Sequence, residues 1–283
     1  MLTVLLAILV GLTGLALFLF VFQRQFIYFP RSYDRQYDFK HYRGLIPLEY
    51  QTPEGKQTSF YLSPDNNSTP VPEPLWILFG GNAALALDWY GFAAGYSDPK
   101  AGFLLIEYPG YGKCEGKASP DTILVSTEQA LAQLALHLQI NKEQLTKHLH
   151  ILGHSLGTGA GLQYAAKHPV EQIVLVSPFT SLLDVACRTV GKPICYLLQH
   201  RFDNQARLEE IASFSPLPQV QIIHGTLDRV IPVQMGRRLA HQFPQMIVYL
   251  EIQHANHNQI FSLSEQEIHS IMQGNLMKSN QKQ

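Results

Sequence analysis

The sequence is poor in charged residues and in cysteine. Only 15% of its 283 residues are charged, and 21 basic residues balance 22 acidic ones. A nucleic-acid-binding surface needs an excess of positive charge, so the composition predicts no nucleic-acid partner. Three cysteines are too few for a disulfide scaffold and do not fix the compartment. Cys187 and Cys195 either pair in an oxidising compartment or stay free as small buried side chains.

The sequence also lacks the motifs of metal and nucleotide sites. It contains no Cys-x-x-Cys pair and no His-Glu-x-x-His signature, so it gives no support for a metal site. The glycine-rich stretch from Tyr108 to Gly116 has neither the Gly-x-x-x-x-Gly-Lys-Ser/Thr nor the Gly-x-Gly-x-x-Gly pattern. This stretch predicts a tight structural turn. We therefore expect neither a metal nor a cofactor.

One long apolar segment is present at the N-terminus. Leu2 to Phe22 carries no charge, and 21 residues at about 1.5 Å each span roughly 31 Å, the thickness of a bilayer core. A cleaved signal peptide is the alternative, but its apolar core is shorter and follows a basic region. We favour an uncleaved single-pass anchor, and the positive-inside rule then favours a cytoplasmic domain. Four basic residues follow the segment: Arg24, Arg31, Arg35 and Lys40.

The rest of the chain alternates apolar strand-like runs with amphipathic helix-like stretches. This alternation predicts an α/β fold with a mostly parallel sheet covered by helices on both faces. Between 178 and 215 the pattern becomes irregular, which predicts a small helical insertion. The predicted organisation is an anchor over 1–22, a juxtamembrane segment over 23–44, a folded domain over 45–273 with a cap over 178–215, and a polar tail over 274–283.

The stretch Gly153-His154-Ser155-Leu156-Gly157 lies between an apolar strand and a helix rich in small residues. This Gly-x-Ser-x-Gly pattern is typical of a strained strand-to-helix turn that exposes its serine. Gly153 and Gly157 leave room where a Cβ atom would clash. The pattern predicts a nucleophilic serine at the positive end of a helix.

Acidic and basic partners follow in the chain. Asp228 comes directly after one predicted strand, and His254 and His257 come after the next. The order Ser, Asp, His is that of the α/β-hydrolases. Asp184 is an alternative acid and His254 an alternative base. His241 and His269 lie on predicted helices and are expected at the surface. His154 is expected to support the serine by packing or hydrogen bonding.

Several motifs, in this order, resemble those of membrane-anchored serine hydrolases. These are the α/β-hydrolase domain proteins related to depalmitoylating and to serine-aminopeptidase-like hydrolases. The resemblance covers roughly Leu45 to Gln273 and implies an α/β-hydrolase fold with about eight strands. Relatives often have His-Gly-Asn where this chain has Gly80-Gly81-Asn82, and Gly-Gly-His or a similar motif where this chain has Ala255-Asn256-His257-Asn258. The motifs are Gly80-Gly81-Asn82-Ala83, Tyr108-Pro109-Gly110-Tyr111-Gly112, Gly153-His154-Ser155-Leu156-Gly157, Ser177-Pro178-Phe179-Thr180-Ser181, Gly225-Thr226-Leu227-Asp228 and His257-Asn258.

The resemblance implies a role for each matching residue. Ser155 is the implied nucleophile and His257 the base that takes its proton, chosen over His254 because His257-Asn258 matches the family motif. Asp228 would orient the imidazole and stabilise its protonated form.

The resemblance also implies an oxyanion hole. Its donors would be the backbone N–H groups of Leu156 and Asn82, and Gly81 would permit the close approach of substrate.

These observations predict a membrane-anchored serine hydrolase that cleaves carboxylic esters or thioesters through an acyl-enzyme. Its expected partners are a small-molecule or lipid-like acyl substrate and the membrane. The apolar run Ile194 to Leu198 could line an acyl groove. A serine aminopeptidase is an alternative, because Asp203, Glu209 and Glu210 could hold a substrate amine. A non-catalytic membrane-tethered scaffold is the other alternative.

Overall fold

The computed structural model describes residues 2–33, 37, 41–64 and 71–275, without the side chains of residues 5 and 8. Arg35, Lys40 and all but two residues of the predicted polar tail lie outside these ranges. The described chain builds one eight-stranded sheet in the order β1-β2-β4-β3-β5-β6-β7-β8. The strands are β1 (Leu45–Thr52), β2 (Gly55–Leu62), β3 (Leu75–Phe79), β4 (Gly102–Ile106), β5 (Leu149–His154), β6 (Gln172–Val176), β7 (Gln219–Gly225) and β8 (Ile247–Ile252).

The first two strands are the antiparallel part of the sheet. β1 pairs with β2 around the turn at Pro53 and Glu54, and β2 pairs antiparallel with β4. The strands from β4 to β8 are parallel to one another. The prediction of a mostly parallel sheet of about eight strands is therefore confirmed.

Helices cover both faces of the sheet. They are α1 (Leu2–Ile27), α2 (Tyr90–Ala94), α3 (Pro120–Leu138), α4 (Lys142–Thr146), α5 (Leu156–Ala165), α6 (Leu182–Val190), α7 (Asn204–Ile211), α8 (Val233–Gln242) and α9 (Ile260–Met272). Short 3₁₀ turns occur at Ala86–Trp89 and Ile194–Leu197. The insertion predicted over 178–215 contains α6, the second 3₁₀ turn and α7.

The central strands are buried on both faces, which explains their continuous apolar sequences. Every residue of β3 is buried. Because successive side chains of a strand point to opposite faces, Ile77 belongs to one hydrophobic cluster and its neighbours Trp76 and Leu78 belong to the other.

The helix α1 differs from the rest of the fold. It is long and apolar enough to cross a membrane, and its most apolar 18-residue window has a mean hydropathy of 2.9 and is not buried by the protein. A signal sequence would meet the same criteria of length and composition. The helix continues to Ile27, five residues beyond the predicted Phe22, because Gln23, Arg24 and Gln25 are also good helix formers.

The parallel arrangement places three loops at one edge of the sheet. Ser155 follows β5, Asp228 follows β7, and His257 follows β8. The carboxyl ends of parallel strands lie at the same edge, so residues more than 100 positions apart in the chain are brought together there.

Candidate active site

Ser155 lies on a strained turn between β5 and α5. Its backbone has φ 54° and ψ −118°, a conformation that L-residues rarely adopt. Two glycines make the turn possible. A Cβ atom on Gly157 would lie 2.1 Å from the carbonyl oxygen of Phe79, and one on Gly153 would lie 2.5 Å from the carbonyl oxygen of Gly157. The turn therefore presses α5 against the end of β3, and Ser155 is held at the start of the helix.

The structure brings Ser155, His257 and Asp228 into one hydrogen-bonded relay. The Nε2 atom of His257 lies 2.9 Å from Ser155 Oγ, and its Nδ1 atom lies 2.7 Å from Asp228 Oδ2. The other carboxylate oxygen of Asp228 accepts hydrogen bonds from the backbone N–H groups of Val230 and Ile231, at 2.9 and 2.8 Å. All three side chains are largely buried. The relay has the geometry that activates a serine nucleophile.

Asp228 is held in its ionised form. Burial alone would raise its pKa, but the nearby imidazole of His224 and the hydrogen bonds from His257 and from the backbone N–H of Ile231 outweigh burial, so the pKa of Asp228 lies well below its usual value. An ionised carboxylate accepts hydrogen bonds only. The Nδ1 atom of His257 therefore carries a proton toward Asp228, and its Nε2 atom faces Ser155 Oγ.

His224 is a site residue that the sequence analysis missed. Its side chain is fully buried, and its Nε2 atom lies 2.9 Å from the carbonyl oxygen of Ile231 and 3.6 Å from Asp228 Oδ2. Through its hydrogen bond to Ile231, His224 therefore stabilises the loop that carries Asp228. Its position near the carboxyl end of β7, four residues before Asp228, was a signal that could have indicated this role.

His154 supports the relay by packing. Its ring lies 5.1 Å from the ring of His257 and 5.2 Å from that of Phe261. Burial and the nearby His257 lower the pKa of His154 to about 3. The ring is therefore neutral and adds no charge beside the relay.

The structure pairs the alternative acid and base with groups other than Ser155. His254 is exposed and has a backbone φ of 61°. Its backbone N–H group donates a hydrogen bond to Thr226 Oγ1. Asp184 accepts a hydrogen bond from the Thr180 hydroxyl at 2.5 Å, near the start of α6. His241 is exposed as expected, but His269 is half-buried against Phe92.

Asn82 lies beside Ser155, on the loop after β3. Its carbonyl oxygen accepts hydrogen bonds from the backbone N–H of Phe29 at 2.9 Å and from the hydroxyl of Tyr111 at 2.5 Å. The Tyr108 hydroxyl donates to the Gly80 carbonyl in the same loop. The glycine-rich turn at 108–112 thus fixes the loop that carries Asn82.

Gly80 and Gly81 differ in what surrounds them. A Cβ atom on Gly81 would come no closer than 3.5 Å to any protein atom, whereas one on Gly80 would lie 2.8 Å from Ala84 Cβ. The fold therefore requires a glycine at position 80, and any need for one at Gly81 would come from the substrate.

A cavity of about 720 Å³ opens above Ser155. Ser155, Leu156, Asn82 and His257 line its polar end. The remaining wall is mostly apolar and comes from α1, α6 and the 3₁₀ turn at Ile194–Leu197, and among the described residues no Asp, Glu, Lys or Arg lines it. Of the run predicted to form an acyl groove, Ile194, Cys195, Leu197 and Leu198 line the cavity and Tyr196 does not.

The structure joins Cys187 and Cys195 in a disulfide. The bond connects α6 to the 3₁₀ turn that follows it, and both elements line the cavity. Within the described ranges, no group of three His, Cys, Asp or Glu side chains is placed to hold a metal ion.

A family model described as the alpha/beta hydrolase fold matches residues 74–221, more than half of the chain. The chain belongs to this family. The chain is 30% identical over 171 residues to the YfhR protein of Salmonella typhi, covering 56% of each protein. It is 30% identical over 154 residues to human alpha/beta hydrolase domain-containing protein 17B, covering 54% of this chain and 49% of that protein. The matched part thus spans about half the length of these relatives.

A solved structure supports the same fold. An esterase of Pyrococcus furiosus superposes with a TM-score of 0.64 at 14% identity, covering 89% of this α/β-hydrolase and 98% of the esterase. At this identity the likeness shows the fold alone.

Proposed function

We propose that this α/β-hydrolase is a serine hydrolase that cleaves carboxylic esters or thioesters through an acyl-enzyme. The observation that carries the proposal is the relay of Ser155, His257 and Asp228 at the end of an apolar cavity. A buried serine with a histidine 2.9 Å away, itself bonded to an ionised carboxylate, is an arrangement that makes a hydroxyl nucleophilic.

In this mechanism, His257 Nε2 takes the proton of Ser155 as Oγ attacks the acyl carbon. The imidazolium that forms is stabilised by Asp228 and returns the proton to the leaving alcohol or thiol. Water then repeats the sequence on the acyl-enzyme and releases the carboxylic acid. Throughout, the backbone N–H bonds from Val230 and Ile231 keep Asp228 aimed at His257.

The proposed oxyanion hole consists of the backbone N–H groups of Leu156 and Asn82. Leu156 is the first residue of α5, so its N–H group adds to the positive end of the helix. The hydrogen bonds from Phe29 and Tyr111 to the Asn82 carbonyl hold the second donor in place before substrate binds. Fixed donors of this kind stabilise the developing negative charge without reorganisation.

The lining of the cavity favours an acyl ester or thioester over the peptide substrate of an aminopeptidase. An aminopeptidase needs an acidic group near the site to hold the substrate amine, but Asp203, Glu209 and Glu210 lie elsewhere. Asp203 caps α7, Glu209 pairs with Gln205, and Glu210 pairs with Arg207. The apolar wall instead suits a hydrocarbon chain.

We further propose that α1 anchors the enzyme in a membrane. Most of its large apolar side chains are exposed, including Leu12 at 57% and Val10 at 64%. A helix with such a surface is stable in lipid and would otherwise leave a large apolar patch in water.

A fluorophosphonate probe tests the proposal on the membrane-bound protein. We expect the wild type to be labelled and Ser155→Ala not to be labelled. His257→Ala should lose about 10⁴-fold or more in ester hydrolysis, and Asp228→Asn should also lose most of its activity. The matched control is His254→Ala, which removes a nearby exposed imidazole and should leave labelling unchanged. A folded wild type that is not labelled would contradict the proposal.

A further inference from the structure

We propose that the membrane-spanning helix is part of the substrate site, and that the acyl chain of a membrane-embedded substrate enters the cavity sideways from the bilayer along α1. This inference rests on the proposed function. It adds a specificity-determining element, the last part of α1, and a substrate source, the bilayer itself.

The first observation is that α1 lines the same cavity as the catalytic relay. Leu19, Gln23, Phe26 and Ile27 form one wall, at successive turns of one helix face. Further apolar lining side chains come from α6, from the 3₁₀ turn and from the residue after it, and include Val185, Val190, Ile194 and Leu198. A chain bound in this cavity therefore contacts both α1 and the cap and reaches Ser155.

The second observation is that α1 is fastened to the cap by a buried polar side chain. Gln23 is only 8% exposed although it belongs to the anchor helix. Its Oε1 atom accepts a hydrogen bond from the backbone N–H of Gln199 at 2.6 Å, and its Nε2 atom donates to the Phe20 carbonyl at 2.8 Å. Gln23 is therefore a positioning residue that holds the wall of the cavity at a fixed distance from the cap.

The length of α1 sets the depth that the cavity has in a bilayer under the proposed anchoring. The 26 residues of α1 span about 39 Å, whereas the hydrocarbon core measures about 30 Å, so roughly the last turn and a half extends into the headgroup region. Arg24 lies in this extension. Leu19 lies before it, at the level of the hydrocarbon, while Phe26 and Ile27 lie near the headgroups. The cavity wall thus crosses the boundary between lipid tails and headgroups.

These observations together favour a long-chain acyl substrate that is bound in the membrane. A long acyl chain bound in the membrane has its tail at the level of Leu19 and its ester or thioester carbonyl near the interface, close to the level of Ser155. Such a substrate reaches the nucleophile without its chain passing through water. A short water-soluble ester needs only the polar end of the cavity at Ser155, Leu156 and Asn82.

Filling the α1 side of the cavity tests the proposal. Leu19→Trp places a large side chain in this wall, and Leu12→Trp is the matched control on an exposed part of the same helix that does not line the cavity. We expect Leu19→Trp to reduce kcat/KM for a hexadecanoyl thioester in phosphatidylcholine vesicles by at least about tenfold. Fluorophosphonate labelling of Leu19→Trp should persist, which shows that the variant is folded with an activated Ser155, and the loss for the hexadecanoyl thioester should exceed any loss for 4-nitrophenyl acetate by at least about fivefold.

The source of the substrate is tested by dilution within the membrane. With the bulk concentration of the hexadecanoyl thioester held constant, added phosphatidylcholine should lower the rate in proportion to the fall in surface concentration. A rate that follows only bulk concentration would overturn entry from the bilayer. An equal effect of Leu19→Trp and Leu12→Trp on the long chain would overturn the role of α1. A wild type that is not labelled at Ser155 would instead refute the proposed function itself.

Discussion

At the scale of single residues, Gly157 shows how closely the nucleophile turn is packed. A Cβ atom there would lie 2.1 Å from a backbone oxygen, which cannot move aside as a side chain can. We expect Gly157→Ala to displace α5 from β3, to lower the free energy of unfolding by about 3 kcal/mol or more, and to abolish fluorophosphonate labelling. Urea unfolding and labelling on the same preparation measure both effects.

Gly91 in α2 is the control for this substitution. An added Cβ atom there has no neighbour within 4 Å, so Gly91→Ala should raise the free energy of unfolding by up to about 1 kcal/mol through its better helix propensity. If the two variants had similar stabilities, the steric argument for the turn would be wrong.

Glu107 is a buried carboxyl group outside the relay. It follows β4, accepts hydrogen bonds from the Tyr33 hydroxyl and from the Ala86 N–H, and is 1% exposed. Burial raises its pKa from 4.5 to about 8, although the hydrogen bonds from Tyr33 and Ala86 oppose the shift. The folded protein therefore keeps a proton between about pH 4.5 and pH 8 that the unfolded chain has released.

This difference predicts a pH dependence of stability. Because the folded state binds more protons in that window, the free energy of unfolding should fall as the pH rises, by up to about 1.4 kcal/mol per pH unit from this group. Glu107→Gln cannot ionise, so its stability should change less between pH 5 and pH 8. Chemical denaturation at several pH values measures both slopes. The exposed Glu49→Gln is the control, and a slope unchanged in Glu107→Gln would contradict the assignment.

At the scale of elements, local patterns predicted most of the fold. The continuous apolar runs of β3 and β4 are typical of strands buried on both faces. Ser119 before Pro120 is a pattern typical of a helix start, and in the structure the Ser119 side chain caps α3. The turn at Ser155 was also predictable, because a Gly-x-Ser-x-Gly pattern combines a steric requirement with a position between strand and helix.

Other elements depended on contacts that have no local signal. Between Leu85 and Gly95 the chain forms a 3₁₀ turn followed by α2 instead of one continuous helix, and in the turn the Asp88 side chain accepts a hydrogen bond from the Leu85 N–H. The short α4 begins at an Asn141 cap that the sequence analysis did not use.

The contact between α1 and the cap was beyond sequence reasoning for a different reason. Gln23 and its partner Gln199 are 176 positions apart, so only the folded chain shows that α1 lines the cavity together with the cap. For His224 this limit was partial, because its position four residues before Asp228 was a local signal but its packing against α8 is visible only in the folded chain. A Cβ atom on Gly236 of that helix would lie 2.5 Å from His224 Nδ1.

At the scale of the whole molecule, two features bear on the orientation of the proposed membrane anchoring. The basic residues after α1 favour the cytoplasmic side. The bond between Cys187 and Cys195 favours the opposite side, since disulfides persist mainly in oxidising compartments. The positive-inside expectation stays a prediction, and the redox state of the cysteines decides between the two orientations.

We expect one free thiol per chain in protein taken from its native membrane, because Cys187 and Cys195 are joined and Cys114 is free. Maleimide added under non-reducing denaturing conditions should attach one tag, and reduction should raise the number to three. The native protein should take none, because Cys114 is buried and burial raises the pKa of its thiol to about 12, which leaves little reactive thiolate. Cys114→Ala is the control and should give no tag before reduction and two after it. Three tags without reductant would mean that the two cap cysteines are reduced in the cell, which would favour the cytoplasmic orientation and leave the cap wall without its covalent link.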